Sequence, residues 1–277
     1  MSVPAEAQVL VLGVAGAGKT TLLIQLFGRL QAGEGMLRLR ESPRNLARLQ
    51  TGLTRLNQGL PVQHTPTGDE FVQLLPAEDA AGVPIDLALP DYSGEDLKKV
   101  VTERRLPERW RELATSSEHW MLLMRLSQHP QRPDVLSKPL GTLAAEAQRT
   151  AKGEDPDQLP LDMWGVELLQ MLQYARSEIG MPRPRLSLVM SCWDELDRAD
   201  ATPEKLARER LALLHSYCRA HWPDNAYRVL GLSAQGQPLD ENRPAGEYLN
   251  NGPERMGWLV LSDGDRDPDL TRLGALG

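Results

Sequence analysis

Between residues 8 and 26 the chain reads QVLVLGVAGAGKTTLLIQL, an apolar run, a glycine-spaced loop and a second apolar run. The first run is short and rich in branched side chains, as in a strand buried on both faces of a parallel sheet. After the loop, Leu22, Leu23, Leu26 and Leu30 recur at helical spacing. Strand, tight loop and helix in this order open an α/β fold.

The loop Gly13-Val14-Ala15-Gly16-Ala17-Gly18-Lys19-Thr20 matches GxxxxGK[ST] without departure. Its glycines let the backbone turn so that successive N–H groups face phosphate oxygens, and the following helix presents its positive N-terminal end. Lys19 is placed to reach β and γ phosphates, and Thr20 offers a hydroxyl to Mg²⁺. The candidate phosphate contacts are Gly13, Ala15, Gly16, Ala17, Gly18, Lys19, Thr20 and Thr21. A nucleoside triphosphate site follows from the motif and its strand-helix setting.

Later segments predict more strands and helices in alternation. Strands are expected at DEFVQLLP and VPIDLALPD as a hairpin, at HWMLLMRL, RLSLVMS and AYRVLGLS, and at GWLVL. Helices are expected over Glu95 to about Leu113, at DMWGVELLQMLQYARSEIG and at TPEKLARERLALLHSYCRAH. Leu46, Leu49, Leu53, Leu56 and Leu60 form a narrow apolar stripe on another helix, which either packs on the sheet or docks a partner. The fold class expected is a three-layer α/β/α sandwich of the P-loop NTPase kind, mostly parallel, with one antiparallel strand from the hairpin. It would be a single domain over residues 1–277. A helical insertion is expected near 36–62, a Pro-rich one near 127–160 and an atypical extension over 237–277.

The composition excludes several classes. A net charge of -7 argues against a surface that holds nucleic acid through clustered cations. Two cysteines, Cys192 and Cys218, are too few for a disulfide framework and suit a reducing compartment. No apolar run approaches the ~20 residues of a membrane helix, and the start MSVPAEAQ lacks a signal peptide's basic region. These features predict a cytoplasmic protein with neither a nucleic-acid nor a membrane partner. The histidines show no metal-ligand spacing, and His119, at a strand start, reads as structural.

Three further motifs narrow the nucleotide. IDLALPDYSGED ends a strand with Asp91 and continues as DxxG to Gly94. A carboxylate there can hold Mg²⁺ through water, and Gly94 leaves its N–H open to a γ-phosphate. Two later strands end in Ser191-Cys192-Trp193-Asp194 and Ser233-Ala234-Gln235. The order GxxxxGKT, DxxG, [NST]xxD and SA[KQ] resembles the TRAFAC-type GTPases over roughly residues 8–236. Within that class, DYSGED, SCWDELD and GWLVLSDG are similar to bacterial double-GTPase domains of signalling and conflict systems.

The resemblance implies GTP and GDP as ligands, Mg²⁺ as cofactor and a protein effector or activating protein as partner, with a nucleotide-dependent dimer also possible in this class. Asp194 can accept hydrogen bonds from guanine N1–H and the 2-amino group, whereas adenine would set an acceptor against it. The Ser233-Ala234 backbone would close over guanine O6. Cys192 stands where the class usually has a lysine whose stem lies on the base, and Trp193 either supplies that apolar surface or packs in the core. Glu95 stands where Ras-like proteins place a water-orienting glutamine. It either accepts a hydrogen bond from the attacking water or serves as a first-turn helix acid. The switch threonine is Thr65 or Thr67, Thr65 by its T-P context. Arg104, Arg105 and Arg109 read as a solvated face or as a source of a charge-stabilising arginine. Lys19, Thr65, Gly94 and Glu95 are thus the catalytic candidates, and Thr20, Thr65 and Asp91 the metal candidates.

The function expected is a Mg²⁺-dependent GTP-hydrolysing switch, slow without a partner. A nucleotide-locked GTP/GDP module is the alternative. A P-loop ATPase or kinase comes third, since it leaves Asp194 and Ser233-Ala234 unexplained.

Overall fold

A computed structural model describes residues 8–63, 72–90, 94–128, 159–196 and 201–275. The first strand, β1 (Gln8–Gly13), passes through the glycine loop into α1 (Lys19–Ala32). A short strand β2 (Leu37–Leu39) and helix α2 (Leu46–Asn57) follow. The hairpin is β3 (Val72–Asp79) and β4 (Pro84–Pro90), its turn held by the Asp79 carboxylate, which accepts from the N–H groups of Ala81 and Val83. Next come α3 (Gly94–Thr102), α4 (Glu108–Ser116), β5 (Ser117–Arg125), α5 (Leu161–Ser177) and β6 (Arg185–Ser191). The chain continues with α6 (Pro203–Arg210), α7 (Ala212–His221) and β7 (Tyr227–Ser233). It closes with α8 (Gly246–Asn251), β8 (Trp258–Val260), β9 (Arg266–Asp267) and α9 (Arg272–Ala275).

The strands form one sheet in the order β2-β3-β4-β1-β5-β6-β7-β8-β9. Its centre, β4-β1-β5-β6-β7, is parallel, and the pairs at both edges are antiparallel. Successive residues of β1 point to opposite faces: Val9 and Val11 join one core, Leu10 and Leu12 the other. The first core packs α1, α2, α8 and α9, and the second packs α3 to α7, so the sheet is the middle of three layers. The expected α/β/α sandwich is therefore what forms, but the single antiparallel strand expected from the hairpin is not alone, because β8 also runs antiparallel, against β7 at the other edge. No helix among the described residues is long and apolar enough to cross a membrane.

Several elements differ from expectation. The helix expected from Glu95 to Leu113 is two helices, because Pro107 disfavours helical geometry at Leu106 and itself starts α4. The helix over 202–221 is also two, parted at Leu211, which leaves helical dihedrals and buries its side chain. The segment near 36–62 is not helical throughout, since β2 pairs with β3 inside it. The leucine stripe of α2 lies on α1 rather than on the sheet, with Leu49 and Leu56 fully buried. Gly52 permits that approach, for a Cβ there would stand 2.6 Å from Ile24 Cδ1. Leu46, Leu53 and Leu60 of the same stripe stay half-buried. Most of the Pro-rich insertion, residues 129–158, lies outside the described residues.

His119 is structural, as its position at the head of β5 suggested. It is buried and shares a 2.8 Å hydrogen bond with Ser187 Oγ, to which Arg228 Nε also donates. Burial, with the charges of Arg228 and Arg185, pushes its pKa down to about 3. The unfolded chain takes up this proton near pH 6.5 while the fold refuses it, so stability is full above that pH and falls on acidification. His215 shifts in the same direction, burial again the largest cause. Between pH 7.5 and pH 5.5 we expect wild type to lose about 1.4 kcal/mol more than His119→Gln, read from urea midpoints at both pH values.

Candidate functional site

Because the central strands are parallel, their C-terminal ends share one edge, and there the chain order reverses around β1. A cavity of about 220 Å³ opens on that edge, lined by Gly16 to Thr21, by Arg125, Cys192, Asp194 and Glu195, and by Ala234 and Gln235. The structure thus brings the glycine loop and both downstream motifs, far apart in sequence, to one site.

The loop's shape depends on its glycines. Gly16 and Gly18 hold φ values of 73° and 80°, in the left-handed region that side chains disfavour. At Gly13 a Cβ would lie 2.9 Å from the carbonyl oxygen of Leu123 on β5, so the first glycine lets two strands approach. Lys19 Nζ donates to Gly13 O at 2.7 Å and to Val14 O at 3.0 Å, which folds the ammonium over the loop. Thr20 and Thr21 follow on the cavity wall in the first turn of α1.

On the cavity wall beside the loop, Cys192 leaves β6 with φ 54° and φ/ψ in the left-handed region, and Trp193 to Glu195 form a short 3-10 turn. Trp193 turns inward: it is buried and its indole lies on Gly231 of β7, where a Cβ would meet ring carbons at 2.4–2.8 Å. It therefore belongs to the core, and the alternative of a surface for the base falls away. Asp194, next in the turn, lines the cavity and accepts a 2.6 Å hydrogen bond from Ser233 Oγ, which itself accepts from Gly236 N–H at 2.9 Å. Gly231→Ala would force the indole out and shift Asp194. We expect ~1–3 kcal/mol of destabilisation from this overpacking, with weakened nucleotide binding, checked by denaturation and a GDP titration.

The segment after β7 supports the Ser233 loop in ways the sequence did not suggest. Tyr248 of α8 is buried, donates to Gln235 O at 2.6 Å and accepts from Gln25 Nε2 of α1 at 3.3 Å. Arg29 of α1, also buried, donates to Pro268 O and Met256 O at 2.5 Å each. Gly257, at φ 86°, fits against the loop where a Cβ would come within 2.5 Å of Ala234 O. The tail is thus fixed to the helix that follows the glycine loop. Contacts spanning more than 200 residues leave no local signal.

Two charged side chains on the cavity wall were also missed, Arg125 at the end of β5 and Glu195 after Asp194. They pair twice, Nη2 to Oε1 at 2.6 Å and Nε to Oε2 at 2.9 Å, and Arg125 Nη1 donates to Gly16 O at 3.0 Å. Burial opposes both charges, but their mutual bonds raise the Arg125 pKa and lower that of Glu195, whose carboxylate Ser127 also contacts. The available signal was a charged residue closing the apolar run HWMLLMR beside the expected phosphate loop. Burial pushes the Cys192 thiol up to about 12, so it is neutral at physiological pH.

Thr65, Thr67 and Asp91 lie outside the described residues, and β4 ends at Pro90 on the cavity's edge of the sheet. Gly94 and Glu95 open α3. Arg104 is exposed and pairs with Glu167 of α5 at 3.1 Å, and Arg105 and Arg109 are exposed beside it; the solvated-face reading is the one that fits. Among the described residues no group of three or more His, Cys, Asp or Glu could hold a metal.

A glycine loop between a buried strand and a helix, at the C-terminal edge of a mostly parallel sheet, makes this a P-loop NTPase fold. The model of the Double-GTPase 1 family matches residues 10–273, and the chain belongs to that family of GTPases. No curated protein matches it in sequence. Three solved structures show weaker likeness. The bacterial selenocysteine-specific elongation factor EF-Sec aligns with TM-score 0.37 and 13% identity over 92% of this chain and 29% of its own. The SRb-GTP/SRX complex of the signal recognition particle receptor from Chaetomium thermophilum gives 0.39 and 17%, over 85% and 94%. The S. cerevisiae Ski7 GTPase-like domain, bound to GTP, gives 0.45 and 12%, over 83% and 43%. The chain spans less than a third of the elongation factor's length. Family membership rests on the matched residues 10–273, not on these superpositions.

Proposed function

We propose that the protein binds GTP and GDP in this cavity, hydrolyses GTP with Mg²⁺, and uses the change of nucleotide as a switch, within one GTPase domain formed by the whole chain. The observation that carries the reading is a single cavity lined both by Lys19 and the glycine loop and by Asp194, which the buried Ser233 holds from behind. A guanine nucleotide has matching chemistry: anionic oxygens for the loop's N–H groups and Lys19, and two N–H donors on the base edge for one carboxylate. Ser233 holds Asp194 in orientation, and the Ala234 and Gln235 backbone borders the base.

Thr20 suits Mg²⁺, being a hydroxyl oxygen beside Lys19 where β and γ phosphate oxygens would lie, and in this reading Thr65 and Asp91, from their sequence motifs alone, complete the metal set. Bound Mg²⁺ would neutralise charge on those oxygens. A water attacks the γ-phosphorus in line, the bond to the β–γ bridging oxygen breaks, and the water's proton passes to the phosphate released with GDP. Lys19 and the Gly94 N–H steady the equatorial oxygens. Glu95 can accept a hydrogen bond from the water but has no proton to give the phosphoryl group, so turnover is slow until a partner assists. Loss of the γ-phosphate releases the Thr65 and Asp91 loops, which changes the surface offered to a protein effector, an activating protein or a second copy. The family resemblance supports a bacterial signalling or conflict setting, and composition supports the cytoplasm.

Phosphate release from GTP and ATP, each with Mg²⁺, tests this reading. Slow release from GTP alone is expected. Tight GTP binding without release would replace the switch with a nucleotide-locked module, and release from ATP would overturn guanine recognition.

A further inference from the structure

In the parallel register of β5 and β6, Arg125 stands opposite Ser191, one residue before Cys192. It reaches the cavity from the neighbouring strand at the level where the base motif begins. The two side chains lie near alternate glycines of the loop: a Cβ at Gly16 would lie 2.7 Å from Gln128 Oε1 and 3.6 Å from Arg125 Nη1, and one at Gly18 would lie 3.6 Å from Cys192 Sγ. Arg125 also joins two loops of the cavity wall, through Gly16 O on the phosphate side and both Glu195 oxygens on the base side. A guanidinium bound at both edges is a rigid planar cation, suited to cover an aromatic ring or a sugar oxygen.

We propose that Arg125 is the positioning residue for the nucleoside: it supplies from β5 the cation that Cys192 does not supply from the base motif, and Glu195 holds it there. The proposal rests on the guanine-nucleotide reading above. Lys19 and the loop amides grip the phosphates whatever the base, so the contribution of Arg125 is to lock the Trp193–Glu195 turn onto the phosphate loop. Nucleoside affinity depends on that lock, and inorganic polyphosphate affinity does not.

Calorimetric titration of the full-length protein tests this with GDP, ADP and inorganic tripolyphosphate, on wild type, Arg125→Ala, Glu195→Gln and the double variant Arg125→Ala/Cys192→Lys. Wild type preferring GDP to ADP upholds the underlying reading, and lack of that preference overturns it, whatever the variants do. Given the preference, Arg125→Ala should weaken GDP by about tenfold or more and tripolyphosphate by less than about threefold. The lysine at position 192 should restore most of the lost GDP affinity. Glu195→Gln keeps Arg125 and its size while loosening its hold, and should show the same selective loss in smaller measure. It carries the same prediction if Arg125→Ala does not fold. Unchanged GDP affinity, equal losses for GDP and tripolyphosphate, or no recovery in the double variant would each overturn the proposal.

Discussion

Lys19→Ala is expected to abolish triphosphate binding at concentrations where wild type is saturated. The ammonium sits at the rim of the glycine loop, 2.7 Å and 3.0 Å from the carbonyls of Gly13 and Val14. Phosphate oxygens are stronger acceptors for an ammonium than these two carbonyls. Truncating one side of a close, desolvated charge pair costs about 2–5 kcal/mol, or roughly thirtyfold to several thousandfold in affinity. The two loop hydrogen bonds lost are worth about 1 kcal/mol each, so stability should fall by about 2 kcal/mol and leave a folded protein. A binding titration beside a denaturation curve checks both halves. Lost binding with an intact fold is the expected pair, and retained binding would remove Lys19 from the site.

Asp194→Asn should move preference from guanine toward xanthine nucleotides. Asn can keep Oδ1 as the acceptor of the Ser233 hydroxyl, which now reaches Asp194 at 2.6 Å, so the turn has no reason to rearrange. The other atom becomes an NH₂ donor, which opposes the 2-amino group of guanine and matches O2 of xanthine. Each unmade bond in a desolvated site costs ~1–3 kcal/mol, so GDP affinity should fall by roughly tenfold or more while xanthosine diphosphate gains. Competition between the two diphosphates measures the exchange directly. GDP affinity unaltered by the change would take base recognition away from Asp194.

What was legible in the sequence was local. The glycine loop is readable because its chemistry needs fixed spacing along the chain. The central strands are readable because burial on both faces leaves unbroken apolar runs such as VLVL and LSLVMS. Pro107 was a readable break between α3 and α4 that amphipathic periodicity obscured. Strand β2 is only Leu37–Leu39, too short for any periodic signal, and forms because β3 pairs with it. The role of Trp193 was undecidable from sequence, because an indole suits a core and a base equally. Gly231 on β7 decides it. Arg125 and Tyr248 act through partners tens to hundreds of residues away, and their types alone would have read as a strand end and a helix aromatic.

The central claim is that one cavity reads both the phosphates and the guanine. Equilibrium competition of GDP and ADP for the full-length protein, with Mg²⁺ and at one stated ionic strength, tests it most directly. The arrangement of Asp194, Ser233 and Ala234 predicts GDP tighter than ADP by about a hundredfold, or ~2.7 kcal/mol, the sum expected from two base-edge hydrogen bonds that adenine cannot make. Equal affinity for the two nucleotides, or a preference for ADP, would contradict it.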